Sequence, residues 1–482
     1  MRVHFATALI LTMLGGCVTA PHDSVPPLLS HAPLEANHEQ APGGFSWPAS
    51  AWWKEFGDPQ LDALIRQALL SAPSLRTAQA RIAAAAAAAK LRMADSGTRL
   101  GASAGVNRQR LSDDSLISPR LIGFQYYSQA DAGLHLDFDL DWWGRERAGI
   151  AAALNRAQAA QAERKEAELL LVSAVTSNYL AWQTEGRRLA IARELVATLK
   201  AEHELQEMRV AQGIEAADML EATAMEQAQA DDQVTILTGS VALRRLVIAS
   251  LSGLAPDQLR LDAQGRAVVP YLEQPADAGV GLLSRRPDIV ASRWRVEAQT
   301  QGVAEARAGY YPDIRLSALG GLSSTELSNF FRAGNRVVSA GAVLYLPIFD
   351  AGRVKARYGV QHAELELAIA SYNETVVAAA QEVAAQILNG QGLPKHHRYA
   401  LQRLAAARSL QKAAEDKARQ GITDDRARLE AAAEVLRLQD AALQAESEVI
   451  QARIALIKSL GGGVDPVTVA VADKADHRNL QP

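Results

Sequence analysis

One cysteine, Cys17, occurs in the 482 residues of this chain. A disulfide framework is therefore excluded, and a chain this long needs none. No basic block is present, and the formal net charge is only −4. That balance argues against nucleic acid as a partner. Proline is missing from long stretches. None stands between Pro119 and Pro256, and only Pro394 stands between Pro347 and Pro466. Chemistry-bearing motifs are also missing. No cluster of His, Cys, Asp or Glu has metal-ligand spacing, and the adjacent His396 and His397 sit in an expected connector after Pro394. The stretch GGGVDP lacks the lysine and the helix of a phosphate loop. Nothing resembles a nucleophile elbow or a paired-carboxylate site. The chain is expected to be neither an enzyme nor the holder of a cofactor or metal.

The N-terminus carries a targeting pattern. Arg2 is followed by an apolar run over residues 5–14 and then by LGGC. A basic start, about ten apolar residues and a small-residue cleavage site read as an export signal. The run is too short to span a membrane, which takes about twenty residues. A leucine three residues before the lone cysteine, with small residues between, resembles the lipobox of bacterial lipoproteins. That resemblance implies a signal peptide over 1–16 and an acylated Cys17, bearing N-palmitoyl and S-diacylglycerol groups. Val18 after the cysteine would favour the outer membrane. An ordinary secretory signal with an incidental cysteine is the alternative. Residues 17–50 are rich in proline and glycine and read as a tether. The fold begins near WWKEFGDPQLDALI. There Asp58 can cap a helix, Pro59 can take its first position, and Leu61, Leu64, Ile65, Ala68 and Leu69 share one face.

The chain then repeats itself. An alanine-rich helical pattern from Pro73 ends in LGASAG, and another from Pro287 ends in IRLSALGG. FDLDWWGR from Phe138 matches LPIFDAGR from Leu346, with Gly144 and Arg145 opposite Gly352 and Arg353. Gly213 and Leu220-Glu221 match Gly421 and Leu429-Glu430, with one residue inserted, and the copies close on SLSGL and SLGGG. Three matched blocks in one order amount to a tandem duplication of about two hundred residues. Each copy reads helix, strand, loop, strand, long helical hairpin. The copies cover 51–255 and 282–463, with a linker over 256–281 and a tail over 464–482. A helix over 145–212 would run about 100 Å at about 1.5 Å per residue, which favours a coiled coil or a helical array. In the last helix Leu429, Ala433, Leu436, Leu443, Ile450, Ile454 and Ile457 form a heptad seam that Asp440 and Ser447 interrupt.

Residues 134–142, LHLDFDLDW, alternate strictly. Nine residues approach the length a tilted strand needs to cross a bilayer. Apolar side chains would face lipid, and His135, Asp137, Asp139 and Asp141 would line a pore. A half-exposed soluble strand alternates identically. The export signal and the count of about four strand candidates tip the reading to membrane. Four strands cannot close a useful channel alone, but several copies can. Because Pro347 stands where Asp139 does in the other copy, the acids read as optional to the strand-to-helix turn.

WWKEFGDPQLDALI, LLSRRPDI from Leu282, AGYYPDIRLSALGG from Ala308, LPIFDAGR and SLGGG together resemble the outer membrane factor family, the TolC-like efflux proteins, over about residues 50–463. The nearest branch is the lipoprotein-type, NodT-like one. The resemblance implies a mainly α chain with a small transmembrane β part, in a homotrimer whose helical barrel continues a shared twelve-stranded β-barrel. Strands are expected near 99–109, 128–142, 313–323 and 337–349, with extracellular loops around 112–125 and 324–336. It further implies an exit duct for a tripartite efflux pump in the outer membrane of a Gram-negative bacterium. The partners would be a periplasmic adaptor, an inner-membrane pump of RND type and outer membrane lipid. The hairpin turns Gly213-Ile214 and Gly421-Ile422, with Asp424 and Asp425, would meet the adaptor. Glu430, and Glu221 in the first copy, would ring a periplasmic gate. Arg286, Pro287 and Asp288 read as a helix-start device. The alternative from another class is a lipid-anchored periplasmic coiled-coil scaffold without channel activity, which has no use for alternating strands. The acylation reading is checked by growing cells on labelled palmitate. The native chain takes up the label and Cys17→Ser does not, and a labelled Cys17→Ser variant contradicts the reading.

Overall fold

The computed structural model of the chain describes residues 23–29, 47–112, 119, 123–262 and 285–463. Cys17, the tail over 464–482 and most of the linker lie outside the described residues. A short 3-10 turn, Trp52–Phe56, leads into α1 (Pro59–Ser71) and α2 (Pro73–Asp95). Strands β1 (Arg99–Arg110) and β2 (Tyr126–Leu140) follow, then the helices α3 (Arg145–Ala211) and α4 (Asp218–Leu251). The second half runs α5 (Pro287–Ala308), β3 (Asp313–Ser324), β4 (Arg336–Tyr345), α6 (Arg353–Arg419) and α7 (Asp425–Ser459). The duplication shows in the lengths. Helices α3 and α6 both have 67 residues, and α4 and α7 have 34 and 35.

Compact packing does not follow the two halves of the sequence. Among the described residues, one unit gathers 23–27 and those of Ala83–Ala159 and Arg293–Ser371; the other gathers those of Leu28–Ile82 and Ala160–Ser292, and 372–463. Each therefore draws on both copies.

The first unit holds the sheet, antiparallel throughout in the order β1-β2-β3-β4. Arg99 pairs with Asp137 across β1 and β2, Asp137 with Ser317 across β2 and β3, and Ser317 with Gly341 across β3 and β4. Two strand ends differ from expectation. β2 stops at Leu140 and not at 142, because the Asp141 carboxylate turns to α3 and accepts from the backbone N–H of Glu146 and Arg147 at 3.0 and 2.9 Å. β4 stops at Tyr345 and not at 349, since Pro347 has no N–H to extend a ladder. The acids at this turn are not optional. In the second copy the Asp350 carboxylate accepts from the N–H of Gly352 and Val354, so each long helix starts on a carboxylate. Below the sheet Arg92 of α2 bridges Glu305 of α5 at 2.7 Å and Glu146 of α3 at 3.4 Å.

The second unit is helical. Leu189 and Ala192 of α3 pack on Leu237 of α4, while Ala400, Leu404 and Ala407 of α6 pack on Val435, Ala442 and Ala445 of α7. Leu199, Ala230 and Ala433 bring α3, α4 and α7 together. Alanine at so many contacts lets the helix axes approach closely. Asp440 breaks the expected seam because the Arg188 guanidinium donates to both its oxygens, at 2.7 and 2.9 Å. His396 and His397 are not in a connector. Pro394 lies inside α6, which continues past it. Gly390 and Gly392 occupy the turn before it, where side-chain crowding would otherwise add to the lost hydrogen bond. The Arg286-Pro287-Asp288 start of α5 is closed on itself. Arg286 donates to Asp288 and Glu382, both at 2.8 Å, and to the Ser459 carbonyl at 3.0 Å.

Asp58 carries more than the expected cap. One oxygen accepts from the N–H of Gln60 and Leu61 at 2.9 and 3.1 Å, and the other from the Tyr179 hydroxyl and Gln183 amide at 2.8 and 3.0 Å. Tyr179 is fully buried, and burial first, then the Asp58 carboxylate, pushes its hydroxyl well above the usual tyrosine range. Asp58→Ala removes a cap and the carboxylate acceptor of the buried Tyr179 hydroxyl, which is left with the side-chain amides of Gln60 and Gln183, at a cost of about 3 kcal/mol. Asp58→Ser keeps a cap and costs about 1–2 kcal/mol. Thermal melts followed by helical circular dichroism rank the two variants in that order; a neutral Asp58→Ala contradicts the assignment.

Candidate functional site

Two places gather the residues that the sequence singled out, one in each unit. The first is the sheet. Side chains directly opposite one another in the ladder point to the same face. One face therefore carries Leu100, Ala102, Ala104 and Val106 of β1, continued by Ala132, Leu134, Leu136 and Phe138 of β2. Leu316, Ala318 and Leu322 of β3 extend it, followed by Val338, Ala340, Ala342 and Leu344 of β4. These side chains are apolar, and most of the large ones are exposed, among them Leu100 68%, Leu134 55% and Val338 82%. A sheet of a water-soluble protein buries such a face; this one presents it to the surroundings.

The opposite face carries Arg99, Ser103 and Asn107 on β1 and Gln129, Asp131, His135, Asp137 and Asp139 on β2. Asp313, Arg315, Ser317 and Ser323 follow on β3 with Leu319 among them, and β4 closes this face with Val337, Ser339, Val343 and Tyr345. Asp139 sits between two guanidiniums, with Arg99 at 2.8 Å and Arg315 at 2.7 Å, so its charge is spent on tying β1, β2 and β3 together. The His135 ring meets the Ser103 hydroxyl at 2.5 Å. Three of the four expected pore-lining residues, His135, Asp137 and Asp139, thus share the polar face. Asp141 does not, because it caps α3. The period-two pattern runs unbroken through Asp141, so alternation alone cannot separate a strand residue from the cap that follows it.

The second place is the pair of hairpin turns in the helical unit. Both are built alike. Gly213 has φ +70° and Gly421 φ +71°, a region open to glycine at little cost. The Gly213 N–H donates to Val210 and the Ile214 N–H to Arg209; the Gly421 N–H donates to Ala418 and the Ile422 N–H to Lys417. This is the Schellman pattern at the end of a helix. It leaves Ile214 58% and Ile422 65% exposed, an apolar residue standing out of each tip.

A chain of charges joins the turns. The Glu215 carboxylate accepts from Arg209 at 2.9 Å, from Arg426 at 3.2 Å and from the Gln206 amide. Arg209 reaches Asp424 at 2.8 Å, and Arg426 reaches Glu430 at 2.7 Å. The Gln206 hydrogen bond foremost, then Arg209 and Arg426, holds the Glu215 carboxyl below the usual glutamate range. The buried Glu202 of α3 is pushed the other way, by burial first and then by the charges of Glu430 and Glu226. Asp424 also caps α7, and Asp425 is exposed and paired with Arg428 at 2.8 Å. Glu430 is therefore a member of a network and not a lone carboxylate. Glu221 is exposed and makes no ion pair among the described residues. Sequence reading missed Arg209, Gln206, Glu215 and Arg426. The available signal was an arginine and an acid within five positions of each tip glycine, Arg209 and Glu215 on the first and Arg426 and Asp424 on the second, a set that can pair crosswise.

An exposed apolar sheet face backed by a polar one, on a chain otherwise made of long helices, defines a membrane channel protein with a helical extension. Known proteins agree. The sequence profile described as outer membrane efflux protein matches residues 64–254 and 280–462. The multidrug resistance outer membrane protein MdtP of Escherichia coli (strain K12) is 32% identical over 467 residues, covering 94% of each chain. The crystal structure of the outer membrane protein VceC from Vibrio cholerae is similar with TM-score 0.76 and 29% identity, covering 87% of this chain and 100% of that one. The outer-membrane channel OprN is similar with TM-score 0.81 and 27% identity, covering 93% and 99%. This chain belongs to the outer membrane efflux protein family. It is an outer membrane channel that conducts and does not catalyse, and its four strands per chain and long helices are the fold of these relatives.

Proposed function

We propose that three copies of this chain close into one twelve-stranded barrel and form the exit duct of a tripartite efflux pump. A periplasmic adaptor and an inner-membrane transporter of RND type would feed it. The observation that carries the assembly is the sheet. Its outer strands β1 and β4 each have one unpaired edge, and hydrocarbon offers no partner for backbone N–H and C=O groups. Pairing β4 of one copy with β1 of the next satisfies every edge by a rotation that closes. Exposed apolar side chains on α4, Met225, Ile236, Leu243 and Leu246, support side-by-side packing of helices from neighbouring copies. The cargo class follows from the relatives described as multidrug resistance proteins: drug-sized small molecules.

The hairpin tips would be the adaptor-facing end, offering Ile214 and Ile422 as apolar contacts with Asp424 and Asp425 beside them. The network from Asp424 through Arg209, Glu215 and Arg426 to Glu430 would hold the entrance narrow, with Glu221 as a second, unpaired acid. Acyl chains on Cys17 would add an anchor in outer membrane lipid. Planar bilayer recordings test both the channel and the gate. The purified protein gives small, cation-preferring conductance, and Arg209→Ala with Arg426→Ala raises it severalfold. A protein without β signal in circular dichroism and without conductance overturns the channel; unchanged conductance in the double variant places the constriction elsewhere.

A further inference from the structure

In the sheet-bearing unit the two strand-to-helix turns enclose a cavity of about 480 Å³. Of the five strand residues that line it, Asp139, Asp313, Arg315 and Tyr345 have the parity of the polar face and Leu140 has the other. The cavity thus opens on the water side of the sheet and not on the lipid side. Its floor has a flat aromatic platform. The Trp143 indole stacks on Tyr311 with ring centroids 4.6 Å apart and planes 15° apart. The indole N–H donates to the Pro312 carbonyl at 2.9 Å, which fixes the ring in place.

Three guanidiniums border the same space: Arg145 at the start of α3, Arg353 at the start of α6, and Arg357 one turn further on. None of the three has a salt bridge among the described residues. Apart from Asp313, which lines the cavity without a salt bridge among the described residues, the carboxylates nearby are already engaged. Asp139 holds Arg99 and Arg315; Asp141 caps α3 and holds Arg147; Glu146 and Glu305 share Arg92. Asp350 accepts from the backbone of α6 and, through the Val354 N–H first, has its carboxyl held below the usual aspartate range. It stays charged and committed to that helix start. The Arg353 guanidinium acts on Asp350 through space only, and three arginines stand against one lining acid without a salt bridge, Asp313, so a surplus of positive charge faces water beside an ordered aromatic pair.

We propose that this cavity is a binding station for organic anions that carry an aromatic ring. The ring would lie against the Trp143–Tyr311 stack. The anionic group would take the forked N–H donors of Arg353 and Arg357, with Arg145 adding charge from the other copy of the repeat. The site need not bind tightly, since a conducting path works only where ligands also leave. It would concentrate such anions at the point where they enter the polar lining of the sheet. Its failure would leave the channel reading untouched, because conduction does not require a station.

Isothermal titration of the purified full-length protein in a neutral detergent tests it, with heats of transfer into micelles subtracted. The probes are 2-naphthalenesulfonate, the neutral 2-naphthol, and inorganic phosphate. Saturable binding of the sulfonate is expected, with naphthol and phosphate each at least about tenfold weaker. Arg353→Gln with Arg357→Gln weakens the sulfonate about tenfold or more. Arg357→Gln alone, at an exposed residue without a salt bridge, serves as the variant whose folding is not in question and should weaken it severalfold. Absence of saturable binding, equal affinity for naphthol, equal affinity for phosphate, or binding indifferent to both arginine variants overturns the proposal.

Discussion

A membrane interior supplies no hydrogen-bond partners, and the organisation of this chain follows from that constraint. Every backbone N–H and C=O within the hydrocarbon must be paired by protein. In the sheet the inner strands β2 and β3 are paired on both sides over most of their length. The outer strands satisfy it on one side only. The side chains of β1 to β3 match the setting, since leucines, a valine and alanines cover one face while acids, arginines and serines gather on the other; β4 is apolar on both faces, with Val337 and Val343 on the second. A single sheet of this kind is incomplete by construction. Its edges explain why a 482-residue chain commits so few residues to strands and still belongs to a family of membrane channels.

The long helices meet a different requirement. With two helices of 67 residues, stability cannot come from one compact core. It comes from thin contacts repeated along the length, mostly alanine against leucine or valine, with polar ties such as Arg188–Asp440 where the apolar seam lapses. At the strand-to-helix turns a carboxylate receives the first N–H groups of each long helix, so the change from period two to period 3.6 is a capping event. At the far ends two matched glycine turns stop the helices. Opposite charges there connect the copies, as when Glu215 from the first hairpin meets Arg426 from the second.

Much of this was legible in the sequence. The alternation LHLDFDLD gives β2 and its faces, absence of proline gives the helix lengths, and the repeated QGI gives both tips. What escaped shows the limit of local pattern. Asp141 has the parity of a pore residue and works as a cap, because a period of two cannot register where a strand ends. Apolar residues beyond Tyr345 prolong the apparent strand, whereas Pro347 ends it. Pro394 looks like a break but sits in a glycine-softened helix. The ties of Arg209 to Asp424 and of Arg426 to Glu215 join residues more than two hundred positions apart, and no window on the sequence holds both partners.

A shared barrel depends on the edges of the sheet. If they are closed by neighbouring copies, the backbone amides of β1 and β4 in the assembled protein are as protected as those of β2 and β3. Hydrogen–deuterium exchange read by mass spectrometry, on the purified assembly in detergent or nanodiscs, measures this strand by strand. Uniformly slow exchange across all four strands is the predicted result. Fast exchange confined to β1 and β4, with β2 and β3 protected, would show open edges and contradict a barrel shared between copies.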